Sequence, residues 1–217
     1  LIAVGFPFSA RTGVGPVIEE AYARGLASGS TTDKIFVLVR DLRRDVAVPM
    51  VFMTYDNVVF SYGSERFIAA CAEAGVDGLI LPDVPFEEKG DFDPLCRRYG
   101  LDLISLVAPT SEDRIAAICR EASGFIYVVS SLGVTGVRSE ITTDIGAMVR
   151  LIRANTDLPC AVGFGISTPE QAKNMAGLSD GAIVGSAIVK LIARYGREAA
   201  PHIGDYARAM KAAVGEA

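Results

Sequence analysis

The chain has 217 residues, half of them apolar, and a formal charge of −5. That length fits one large α/β domain with a full core, and residues 1–217 are expected to form it. The acidic balance, without a basic cluster, argues against nucleic acid and against an anionic membrane surface as partners. Apolar runs such as Gly78-Leu79-Ile80-Leu81 are strand length, far short of a membrane span. Cys71, Cys96, Cys119 and Cys160 lie far apart with no C-x-x-C spacing. They read as buried free thiols in a reducing cytoplasm, with no metal role.

In chain order, strands are expected at Leu1–Phe6, Pro49–Thr54, Gly78–Pro82, Leu103–Val107, Phe125–Ser130, Pro159–Val162 and Gly181–Gly185. Each is apolar on both faces, as strands in a covered parallel sheet must be. Helices fill the intervals. Gly63–Ala74 carries Phe67, Ile68 and Cys71 on one face and stops before Gly75. Ser111-Glu112-Asp113 opens a helix that turns Ile115 and Ile118 inward. Thr168-Pro169-Glu170 supplies an N-cap, a proline at N1 and a first-turn acid. The last helix, about Gly196 to Val214, shows Tyr206, Met210 and Val214 at four-residue steps. His202, the lone histidine, belongs in or just before it as a surface residue.

Two glycine turns carry the chemistry. Val162-Gly163-Phe164-Gly165-Ile166-Ser167 ends one strand, and Gly185-Ser186 ends the next and opens a helix. Glycine lets the backbone approach an anion, and the helix end adds donors and partial positive charge. A phosphate site in a (β/α)8 barrel forms there, after the last two strands. A doubly wound sheet would place its phosphate loop after the first strand instead. The fold expected is therefore a (β/α)8 TIM barrel lacking its first strand/helix unit in this chain. The chain starts without methionine inside an apparent strand, so a segment is expected to be missing in front. The open edge left by that gap should make the chain poorly soluble or pair it with another chain.

The order of motifs resembles the tryptophan synthase alpha subunit family. They are Gly5-Phe6-Pro7-Phe8-Ser9, Gly15-Pro16-Val17-Ile18, Met53-Thr54-Tyr55-Asp56-Asn57, Pro82-Asp83-Val84-Pro85, Val107-Ala108-Pro109-Thr110, Gly133-Val134-Thr135-Gly136, the run Gly163 to Gln171, and Gly185-Ser186-Ala187-Ile188-Val189. The resemblance implies cleavage of indole-3-glycerol phosphate to indole and glyceraldehyde 3-phosphate. It implies a cytoplasmic setting and no cofactor on this chain. It also implies a partner, the pyridoxal-phosphate beta subunit. Phosphate contacts carry over to Gly136, Gly165, Gly185 and Ser186. Thr135 falls in the loop that closes the site, Tyr127 is the pocket tyrosine, and Phe164, Ile80 and Leu106 look like pocket walls.

The same resemblance shows a departure. The family's two catalytic acids fall on Ala3 and Val14, and neither side chain can transfer a proton. Asp83, at the end of a strand, is the remaining acid placed to act, or else a carboxylate that binds loop N–H groups. Three functions stay open: a lyase of the alpha lineage, a catalytically silent ligand-binding partner of a beta subunit, and a barrel turned to another phosphorylated substrate.

Overall fold

The computed structural model describes residues 1–9, 14–130, 144–163 and 165–216. All seven expected strand runs form strands: β1 (Ile2–Gly5), β2 (Met50–Met53), β3 (Gly78–Ile80), β4 (Asp102–Leu103) with β5 (Ser105–Val107), β6 (Ile126–Val129), β7 (Cys160–Gly163) and β8 (Gly181–Ala182). The fourth run is divided at Ile104, which is buried and donates its N–H to the Leu79 carbonyl at 2.9 Å. Between the strands lie α1 (Pro16–Ala27), α2 (Thr32–Leu42), α3 (Asp56–Tyr62), α4 (Ser64–Ala74), α5 (Asp93–Arg98), α6 (Glu112–Glu121), α7 (Ile145–Arg153), α8 (Pro169–Leu178), α9 (Ser186–Tyr195) and α10 (Ala199–Gly215). One sheet has the order β1-β2-β3-β4 and the other β5-β6-β7-β8. Among the described residues the strand pairings are parallel, from Ile2↔Met50 in the first sheet to Val162↔Ala182 in the second.

The chain divides into two compact units, Leu1–Ala10 with Tyr22–Ser105, and Arg11–Ala21 with Leu106–Ala217. In the first, alternate strand residues enter one core. Phe6, Met50, Phe52, Leu79 and Leu81 meet Ile35, Phe36 and Val39 of α2 and Phe67, Ile68 and Cys71 of α4. The Phe6 ring meets Phe52 edge-on at 4.7 Å between centroids, a geometry that aromatic quadrupoles favour. The period-two alternation turns Ala3 and Gly5 to the opposite face, where both are exposed. In the second unit Ile115, Ile118, Ile126, Val128, Val149, Ile152 and Val162 are buried.

Helix ends follow their sequence signals. Gly75 takes φ +80° and donates its N–H to the Cys71 and Ala72 carbonyls, closing α4. The Ser111 hydroxyl accepts from the Arg114 N–H at the start of α6. Thr168 and Gln171 form a reciprocal capping box on α8. The last helix begins with a 3-10 turn over Gly196–Glu198 before α10. All four cysteines are free and buried. Among the described residues no helix is long and apolar enough to cross a membrane.

One device recurs in both units. Asp77 accepts the N–H of Met50, the first residue of β2, at 2.8 Å and pairs with Arg43. Asp180 accepts the N–H of Cys160, the first residue of β7, at 2.9 Å and pairs with Arg153 at 3.3 Å. Each aspartate stands directly before the glycine that opens the next strand; Arg153 is the last residue of α7, and Arg43 directly follows the last residue of α2. The carboxylate thus satisfies a strand-end donor and holds the helix that leads into it.

Candidate phosphate site and strand-end residues

In the second unit, β7 and β8 run in register with Val162 opposite Ala182. The Ile183 N–H extends the pairing to the Val162 carbonyl at 2.7 Å. Gly165 and Gly185 each lie three residues past that pair, so the two turns leave neighbouring strands at one level. Gly165 needs its glycine, because its φ is +81°. Beyond it the Gln171 Oε1 accepts the N–H groups of Ser167 and Thr168 at 2.8 and 3.2 Å. Tyr206 of α10 donates to the Ser167 carbonyl at 2.8 Å, which fixes the turn from behind.

The second turn differs. Gly185 is the N-cap of α9, and among the described residues no side chain caps that helix. A Cβ at Gly185 would meet nothing within 4 Å. The first backbone bond there runs from the Val189 N–H to the Gly185 carbonyl, so the preceding amides at Ser186, Ala187 and Ile188 are the uncapped donors of a helix start. Lys190, also on α9, is exposed. Thr135, Gly136 and Phe164 lie outside the described residues.

Tyr127 is buried on β6, opposite Ala161 of β7. Its ring lies against Gly163, and burial pushes its phenol up to about 12. Leu106 is half-buried on β5.

In the first unit, the ends of β1, β2 and β3 gather an aromatic and acidic group. Phe8 lies between Tyr22 of α1, at 5.2 Å, and Tyr55, at 4.2 Å between centroids. Both phenols are pushed up chiefly by burial, Tyr22 to about 12 with a smaller contribution from Tyr55, and Tyr55 with a smaller one from Asp83. Asp83 holds the Asp56 N–H with both carboxylate oxygens, at 3.1 and 3.2 Å. It therefore satisfies the first backbone amide of α3. Burial pushes its carboxyl up, opposed by that hydrogen bond. Ile80 is fully buried on the face away from the core. Ala3 is exposed on β1, and Val14 is half-buried ahead of α1. His202 is exposed on α10 and stacks on Tyr195 at 3.6 Å.

The Phe8, Tyr22 and Tyr55 group escaped the sequence reading. Phe8 and Tyr55 stood inside quoted motifs, but Tyr22 carried no local signal and is brought in by the folding of α1.

Parallel strands alternating with helices, with glycine turns after the last two strands, define the class: a (β/α)8-barrel protein. Solved structures bear this out. A mutant tryptophan synthase alpha-subunit from Pyrococcus furiosus matches with a TM-score of 0.86 at 31% identity, covering 97% of this chain and 85% of that one. Mycobacterium tuberculosis tryptophan synthase matches with a TM-score of 0.87 at 33% identity, covering 98% and 80%. The tryptophan synthase alpha chain family model matches residues 1–214. The Lacticaseibacillus casei tryptophan synthase alpha chain is 45% identical over 214 residues, 99% of this chain and 80% of that relative. The chain belongs to the tryptophan synthase alpha chain family, and its reaction belongs to tryptophan biosynthesis.

Proposed function

We propose that this chain binds indole-3-glycerol phosphate as the alpha component of tryptophan synthase and docks on a beta subunit in the cytoplasm. The observation that carries the reading is the uncapped start of α9 at Gly185 and Ser186, level with the Gly165 turn of the adjacent strand. Free helix-start amides beside a glycine turn suit a phosphate dianion. Gly136 and Thr135 complete the site in this reading. Tyr127 lines the pocket for the aromatic ring in this reading, and the family resemblance assigns Phe164 the same role.

The acids of the family reaction fall on Ala3 and Val14 in this reading. The reaction needs a proton delivered to the indole ring and one removed from the glycerol hydroxyl. A methyl and an isopropyl group supply neither. Ligand binding is therefore expected to outlast fast turnover.

The test is calorimetric titration with glycerol 3-phosphate of the chain and of Ser186→Asp, which sets a carboxylate at the α9 start. Saturable binding that Ser186→Asp weakens at least tenfold supports the site. Equal binding by both proteins refutes it.

A further inference from the structure

Tyr206, Met210 and Val214 form the side of α10 that turns from solvent; Met210 is buried and the other two are half-buried. Phenylalanine would fill the Tyr206 position as well. The hydroxyl has a separate task. It donates to the Ser167 carbonyl, 39 residues back in the chain, at 2.8 Å. Ser167 lies two residues past Gly165, whose φ of +81° turns the chain out of β7. Both residues and the whole of α10 belong to one compact unit.

The same serine is also held from α8. Gln171 Oε1 accepts the Ser167 N–H at 2.8 Å, the Ser167 hydroxyl at 3.2 Å and the Thr168 N–H at 3.2 Å. That half of the clamp belongs to the capping box of α8. The Tyr206 bond does not, since it comes from another helix and holds the carbonyl. While α10 is docked, the Ser167 peptide is fixed at both its N–H and its C=O. A turn that is ordered before a ligand arrives binds it more tightly than one that must be ordered on binding.

We propose that Tyr206 is a positioning residue of the phosphate site: its hydroxyl holds the Gly165 turn in the form that receives a phosphate ester, so that ligand affinity depends on the docking of α10. The inference deepens the phosphate reading above and rests on it. Burial pushes the Tyr206 phenol up, so it stays a protonated donor at neutral pH. The dependence is reciprocal. A ligand that prefers the fixed turn tightens α10 by the same factor.

The experiment compares the parent chain with two variants. Tyr206→Phe keeps the ring and removes one oxygen. Lys173→Met breaks the 3.2 Å pair between α8 and Glu216, beyond the end of α10, and leaves the turn untouched. Each protein is titrated with glycerol 3-phosphate well below its melting temperature, and amide exchange in α10 is followed with and without that compound. The expected result is a roughly threefold to tenfold loss of affinity in Tyr206→Phe, the worth of one hydrogen bond, with Lys173→Met binding as the parent does. Glycerol 3-phosphate should slow exchange in α10 of the parent and fail to do so in Tyr206→Phe. A role in stability alone would lower the melting temperature of Tyr206→Phe and leave its affinity at the parent value; that outcome overturns the inference while the phosphate site stands. Equal losses of affinity in the two variants overturn it as well. Unchanged α10 exchange in the ligand-bound parent overturns it even where Tyr206→Phe fails to fold. Failure of the parent to bind glycerol 3-phosphate overturns both readings.

Discussion

The Tyr127 ring occupies the space that a side chain on Gly163 would need. A Cβ at Gly163 would lie 2.6 Å from the Tyr127 Cζ, closer than real contacts allow. The two strands are adjacent, with Val129 opposite Gly163, and Tyr127 is buried, so its ring has to shift within the packed interior to make room. Gly163→Ala should therefore destabilise the protein by about 1–3 kcal/mol, the usual cost of overpacking. Chemical denaturation measures it. The Gly163→Ala, Tyr127→Ala double variant should lose less than the sum of the two single changes, because the clash then has no second party.

This pairing shows which features were legible in sequence. Strand runs and helix ends are local, and Gly75, Ser111 and Thr168 each mark the boundary their chemistry dictates. The glycine turns at Gly165 and Gly185 were legible too, since each ends an apolar run. What a glycine makes room for is not local, and Gly163 gave no hint of Tyr127. The same holds for Tyr22, whose partners Phe8 and Tyr55 lie 14 and 33 residues away in the chain. The division of one strand run at Ile104 also reflects tertiary pairing rather than any breaker residue.

Thr54 is fully buried, and among the described residues its hydroxyl finds no hydrogen-bond partner. An unsatisfied buried hydroxyl costs stability that an apolar isostere recovers. Thr54→Val keeps the β-branched shape and should raise stability by about 1 kcal/mol, read from the denaturation midpoint at unchanged slope. A lower midpoint would mean that the hydroxyl is engaged in solution.

Asp180 gives a pH dependence with a definite sign. The Cys160 N–H bond, above all, holds its carboxyl below the usual range; burial opposes it, and the Cys160 thiol and Arg153 each add a smaller lowering effect. A depressed folded value means that stability is present above the unfolded pKa, about 3.9, and is lost as pH falls through the folded one. Melting of the parent chain and of Asp180→Asn should differ at pH 6. The gap should close progressively below about pH 4. A gap independent of pH would refute the linkage.

Asp83 separates structure from chemistry. Both its oxygens accept the Asp56 N–H at the start of α3. Asp83→Ala should cost about 1 kcal/mol through loss of that cap, while Asp83→Asn keeps an acceptor and loses less. Any indole release from indole-3-glycerol phosphate should be unaffected in Asp83→Asn. A fall in that rate without a fall in melting temperature would make Asp83 a proton carrier instead.

Ala3 and Val14 permit a gain-of-function test. Ala3 sits on the exposed face of β1, two residues before Gly5, so a longer side chain there meets solvent rather than the core. Val14 is half-buried immediately before Gly15 and the start of α1. If these positions correspond to the acids of the family reaction, Ala3→Glu with Val14→Asp should raise indole release from indole-3-glycerol phosphate by roughly 10²–10⁴-fold, the span of one well-placed acid–base group. Each single change should achieve much less, because the two proton transfers belong to one reaction. The assay is indole formation with a beta subunit present, and the phosphate affinity of each variant serves as the control. A double variant that binds phosphate as the parent does, yet releases indole no faster, would remove both positions from the reaction.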